Sequence, residues 1–255
     1  MINASDVKFG RRIPEDRSYE QKYDFKKLSA IAPTNVEKIL KLPNLVDFYC
    51  QGNMNACVGF SCSWMMSILN QYNTKTRYDH PRPAKPFKYD AVWLYTQARL
   101  NDGWPFNDPP HDEGTYLWAG FYCLQHFGHK KINEDLPDLK DGLESYLWGK
   151  NTDDGRTAIA LGKPFAIGVD WYESFMNPTV VNGEYWIGNN SDNLGKVLGG
   201  HAITCFSASD SRQAFKLINT WGSIFPSVWI PYKVFDKLIA QQGEMCIPVD
   251  RVTYT

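Results

Sequence analysis

The pattern of side chains changes character partway along the chain, and that change limits the folds open to it. From Cys57 to about Tyr72, Val58, Ser61, Trp64, Met65, Ile68 and Leu69 recur at three- and four-residue spacing, which predicts a helix. The turn-prone run Gly52-Asn53-Met54-Asn55 sets its start. Asp90 to Leu100 reads as helical, and so does Thr115 to Phe127, which closes before Gly128. After about residue 155, short apolar runs take over: Phe165–Val169, Ala202–Phe206, Ala214–Ile218 and Val228–Ile230 read as strands. Turn-rich stretches such as Asn182-Gly183 and Asn189 to Gly195 separate them. The expectation is an α+β chain of two lobes: a helical lobe over about 42–150 and a β-rich lobe over about 151–255, with a cleft between. Its 255 residues suit that arrangement.

Residues 1–41 are polar, with one helical-looking stretch from Val36 to Leu42, and read as an N-terminal arm. The arm carries Asp24, Lys26 and Lys27 and few large apolar residues, so it is expected to lie along the surface and leave the cleft open. It has no apolar core of the kind a secretory leader carries, and no run approaches the roughly 18 apolar residues that span a bilayer. A bacterial cytosol and a phage particle both fit that reading. A formal net charge of −1 gives no electrostatic footprint for nucleic acid. The six cysteines are scattered rather than paired as CxxC, and no cofactor or metal is expected. Cys62, Cys123, Cys205 and Cys246 sit among apolar neighbours and read as small buried residues. His126 and His129 read as a solvated helix end. The basic, Pro-rich stretch 75–88 reads as a solvated loop, with docking of an acidic protein partner as its alternative use.

One cysteine stands apart. Cys57 falls at the first turn of its helix, where the backbone dipole favours a thiolate. A nucleophilic cysteine also needs a histidine near in space and usually far in sequence. His201 opens an apolar strand after Gly199 and Gly200, which let another backbone approach. A third group should orient the imidazole, and Asn219 lies at the end of the next strand, a hairpin away. Trp221 is placed to shield a His–Asn hydrogen bond from water.

These segments carry a resemblance. Gln51-Gly52-Asn53-Met54-Asn55-Ala56-Cys57 resembles the Gln-Gly…Cys segment of papain-like cysteine peptidases, closest to the microbial and phage-type branch. Gly200-His201-Ala202 resembles the histidine strand, and Asn219-Thr220-Trp221-Gly222 resembles the Asn-Ser-Trp-Gly box. Gly114-Thr115-Tyr116 resembles the Gly-Gly substrate ledge, with Thr115 in place of the second glycine. The segments stand in the family order over about 42–235. The resemblance implies a β-barrel-like second lobe, a polypeptide substrate, and a Gln51 amide that holds the oxyanion beside the Cys57 N–H. It also implies that Gly168, Gly199 and Gly200 wall the pocket for the side chain two residues before the cut, where bulky apolar groups are expected. A transglutaminase-like acyl transferase would orient histidine with Asp rather than Asn219. A silent module of the fold would commonly lose Cys57 or His201, and both are present.

Overall fold

The structure is a computed structural model that describes residues 7–18, 20, 24–25, 33–43, 48–73, 88–103, 113–189, 193–223 and 226–251. Three helices form one side: α1 (Cys57–Asn73), α2 (Ala91–Asn101) and α3 (Leu117–His126). From Cys57 to Asn70, α1 is buried on every face, as a helix at the centre of a molecule must be. Two of its polar side chains are satisfied by the sheet lobe behind it. Ser61 Oγ and Thr204 Oγ1 are 2.9 Å apart, and Trp64 Nε1–H donates to the Asn219 carbonyl at 3.1 Å. Asp90 caps α2 by accepting the Trp93 N–H.

Eleven strands are described. β1 (Arg11–Arg12) pairs in parallel with β3 (Thr115–Tyr116). The other nine form one sheet: β2 (Glu37–Ile39), β4 (Leu143–Gly149), β5 (Phe165–Tyr172), β6 (Thr179–Val181), β7 (Glu184–Trp186), β8 (Val197–Ser209), β9 (Ala214–Ile218), β10 (Ser227–Pro231) and β11 (Glu244–Asp250). Their order is β4-β11-β5-β8-β9-β10-β7-β6, with β2 added to β8. All pairs are antiparallel except β10–β7. The expected barrel does not close. The end strands β4 and β6 do not pair, and β6 is a three-residue, exposed strand that cannot complete a ring.

Strand β8 organises the sheet. Its first half pairs with β5, and its last three residues take β2 on the same side, Glu37–Ile39 against Ser207–Ser209. Val36 to Leu42 is therefore not helical: at a sheet edge the backbone hydrogen bonds to β8 outweigh local propensity. β4 already belongs to the sheet through β11, ahead of the expected lobe boundary near residue 150. Helices α4 (Thr152–Ala160), capped by Asn151, and α5 (Tyr232–Ala240) complete the sheet lobe. The stretch 75–87, with the proposed docking lysines and arginines, lies outside the described residues.

Candidate active site

Cys57 is the first residue of α1 and lies against β8. The Ala202 N–H, next in sequence to His201, donates to Cys57 Sγ at 3.4 Å. His201 Nε2 and Asn219 Oδ1 are 2.9 Å apart. Asn219 Oδ1 also accepts the Thr220 N–H at 2.8 Å, which fixes the oxygen on that side. An amide oxygen only accepts, so His201 carries its proton on Nε2 and its lone pair on Nδ1. That Nδ1 is buried and has no hydrogen-bond partner. The imidazole sits in an aromatic box: the Trp171 and Trp221 rings are each 4.8 Å from it, and Phe9 is edge-on at 6.1 Å. Sequence reasoning reached Trp221 but missed Trp171, whose position on β5 across from Gly199 becomes visible only once the strands are paired.

Gln51 stands beside the nucleophile's helix. Its backbone N–H donates to the Thr220 carbonyl at 2.9 Å, and its Oε1 accepts the Thr220 hydroxyl. That leaves its Nε2 group as donor, and both bonds are taken: Met54 carbonyl at 2.7 Å and Lys8 carbonyl at 3.1 Å. Thr220 thus fixes which end of the Gln51 amide faces the site, a role the sequence alone did not signal.

Lys8 belongs to the N-terminal arm, and here the arm expectation is corrected. Residues 7–12 lie in the cleft, on top of Cys57. The Gly10 N–H is directed at Cys57 Sγ, and the Gly10 carbonyl accepts the Thr115 N–H at 2.8 Å. A Cβ on Gly114 would stand 2.0 Å from the Gly10 oxygen, so the ledge needs glycine for this approach, and its φ of +81° asks for glycine as well. Thr115 does not crowd the strand, because its hydroxyl turns away to Asp102 Oδ2 at 2.8 Å. The arm's charge predicts a solvated surface, but among its described residues Arg11 is deeply placed and has a partner. Arg11 enters the pocket walled by Gly168 and Gly200 and meets Glu244 there, Nε and Nη2 at 3.0 and 2.9 Å from Oε2. Neither side chain has any solvent exposure. Phe9 lies over Gly199. Glu244 thus supplies a carboxylate beside glycines that the resemblance implies wall an apolar pocket.

Enclosure sets the electrostatics. Burial pushes the Cys57 thiol up to about 11, against the opposing pull of the Ala202, Gly10 and Val58 N–H groups. Burial pushes His201 down to about 4, opposed by its bond to Asn219. At neutral pH both groups are uncharged in this state. His129, expected in solvent, is fully buried, stacked on Tyr89 and bonded to Ser63 Oγ at 2.9 Å, and burial pushes it down to about 3. All six cysteines are free thiols, with Cys50 exposed and the other five buried. Among the described residues no group of His, Cys, Asp and Glu is spaced to hold a metal ion, and no helix is long and apolar enough to cross a membrane.

With this geometry in hand, known proteins give the fold its name. Xylellain, a cysteine protease from Xylella fastidiosa, superposes with a TM-score of 0.61 at 16% identity, over 98% of this chain and 94% of its own. Procathepsin B from Trypanosoma congolense gives 0.64 at 13%, over 99% and 90%. A digestive procathepsin L from the larval midgut of Tenebrio molitor gives 0.57 at 12%, over 96% and 77%. The fold is that of the papain-like cysteine proteases. In sequence, an uncharacterized peptidase C1-like protein of Acanthamoeba polyphaga mimivirus is 22% identical over 216 residues, covering 74% of this chain. The chain spans 64% of that relative's length. No protein-family model matches.

Proposed function

We propose that this chain is a cysteine endopeptidase, with Cys57 as nucleophile, His201 as base, Asn219 orienting the imidazole and Gln51 holding the oxyanion, kept latent by residues 7–12. The observation that carries this reading is the alignment of His201. Asn219 Oδ1 accepts the hydrogen bond from Nε2–H and leaves the Nδ1 lone pair unpartnered in the wall of the cleft that Cys57 occupies. Once the segment withdraws, water returns and the penalty on charge falls. The thiol proton then passes to Nδ1, giving a thiolate beside an imidazolium at a helix N-terminus. The sulfur adds to the substrate carbonyl, and the negative oxygen is held by the Gln51 amide freed from Lys8 and by the Cys57 N–H. The imidazolium gives its proton to the leaving amine as the C–N bond breaks. His201 then takes a proton from water, the hydroxyl adds to the thioester, and the C–S bond breaks to restore the thiolate.

Latency follows from what the segment occupies: the donor of Gln51, the sulfur of Cys57 and the ledge at Thr115. The test uses the full chain and its Arg11→Ala variant, each treated with a covalent, thiol-directed peptide inhibitor and with an unstructured protein substrate. The variant is expected to label at Cys57 and to cleave, the parent to do both slowly, and Cys57→Ala to do neither. An opened chain whose Cys57 labels readily but cleaves no peptide bond would sink the peptidase reading.

A further inference from the structure

Strand pairing brings Trp171 to His201. Val169 lies directly opposite His201 across β5 and β8, and Trp171 lies opposite Gly199. Residues two apart on a strand share a face, so the Trp171 indole and the His201 imidazole are diagonal neighbours on one face of the sheet. With no side chain at Gly199 to separate them, the two rings close to 4.8 Å at an interplanar angle of 74°. Trp221 meets the imidazole at 4.8 Å as well, but at 32°. The two indoles therefore restrain different motions. A ring lying nearly flat on Trp221 cannot tip out of its plane, yet it can swing within that plane; a ring standing across the plane stops the swing. Phe9 also stands across it, at 89° and 6.1 Å, but Phe9 belongs to the segment that the proposed opening withdraws. Trp171 is itself held, by Phe175 at 5.2 Å and 80° and by Trp221 at 5.4 Å and 79°, and it is buried. Its Nε1–H has no hydrogen-bond partner among the described residues, a cost that a phenylalanine would avoid.

We infer that Trp171 is a positioning residue for the Cys57–His201 pair: in the opened chain it keeps the imidazole from swinging away from Asn219 and from the sulfur. The inference rests on the peptidase reading and deepens it. Drift within the ring plane lengthens the bond from Nε2 to Asn219 and turns the Nδ1 lone pair off the Cys57 thiol. The proton then passes less readily, and the thiolate loses its counter-ion. Trp171 acts through His201 alone and takes no part in the bond changes.

The test reads the pair before any peptide is cut. In the full chain carrying Arg11→Ala, Cys57 is alkylated with iodoacetamide across the pH range of imidazole and thiol titration, and the midpoint of the rate reports the thiolate. Adding Trp171→Ala is expected to move that midpoint up by about one pH unit or more, as a thiolate does when a cation beside it is lost. In peptide hydrolysis the same variant should lose about 10- to 100-fold in kcat with KM within about twofold, the pattern of misplaced chemistry. Trp171→Phe, which keeps a ring across the imidazole, should hold kcat within about threefold of the opened parent and leave the midpoint in place. Trp171→Leu, which keeps bulk without a ring, should follow the alanine variant, and the Phe and Leu pair decides the matter where the alanine variant does not fold. A midpoint unmoved in Trp171→Ala, whatever happens to the melting temperature, overturns the inference, and so do equal midpoints in the Phe and Leu variants. A midpoint that shifts as expected in chains that cut no peptide bond, the opened parent included, leaves Trp171 assigned to the pair and overturns the peptidase reading instead.

Discussion

Two stretches of the first forty residues attach to the same folded body by opposite means. Residues 37–39 add an edge strand to β8 through a backbone ladder; Ile39 and Glu37 stay exposed, with the Glu37 carboxylate accepting from the Ser209 hydroxyl and the Ser211 N–H. Residues 7–12 make a two-residue ladder with β3 and otherwise hold by side chains placed in pockets: Phe9 on the aromatic box, Arg11 on Glu244, and a bare Gly10 over the sulfur. The difference teaches where control resides. A strand edge accepts almost any sequence that can extend, whereas a cleft accepts only side chains that match its walls. On the proposed reading, the first stretch anchors and the second seals.

Four experiments break or sharpen that contrast. The largest effect belongs to the chemistry under the seal: in the Arg11→Ala chain, Cys57→Ala or His201→Ala should lower peptide hydrolysis by about 10⁴-fold or more with the thermal melt unchanged. Activity surviving either change would mean that the sealed site is not the working one. Next is the seal. Removing one partner of a buried pair typically costs about 3–5 kcal/mol, so Arg11→Ala should speed Cys57 labelling by about 10²–10³-fold. Glu37→Ala, in the anchoring stretch, should leave labelling within twofold; equal acceleration by the two would erase the distinction between them.

The third experiment uses pH. His201 is held down to about 4 in the closed state, against an ordinary histidine value near 6.5. As pH falls through that window, an open pair that has become imidazolium and thiol holds one proton more than the closed pair, so acid favours opening. Cys57 works from the other side: its thiol is held up to about 11, so alkali favours opening too, and the seal is tightest between. The ratio of labelling rates, parent over Arg11→Ala, should therefore rise roughly 10-fold or more from pH 6.5 to 4.5. A flat ratio would mean that His201 does not feel the seal. The smallest effect is Asn219→Ala in the opened chain, a loss of about tenfold in kcat from one orienting hydrogen bond.

How much of this could be read from sequence divides along the same line as the contrast. The helix at Cys57 was legible because its periodicity and the turn before it are local properties, and the strands at Phe165, Ala202, Ala214 and Val228 were legible as apolar runs between turns. The ordered segments around Gln51, Cys57, His201 and Asn219 could be read as one constellation, and the fold does bring them together. Arg11, Phe9 and Glu244 could not be read that way. Each is unremarkable beside its chain neighbours, and each takes its meaning from a partner more than 190 residues away, as Arg11 does from Glu244. Charge in the arm argued for solvent because its counter-charge lay at the far end of the sequence. β2 was misread for a related reason: its pattern fits a helix, and the free edge of β8 decides otherwise.

The seal and the site are parts of one polypeptide, and this has a consequence for regulation. Dilution, which parts any inhibitor supplied as a separate molecule, leaves this contact untouched, and synthesis delivers inhibitor and enzyme in a fixed ratio of one to one. On the proposed reading, the fraction of open molecules is then set by the sequence and by pH.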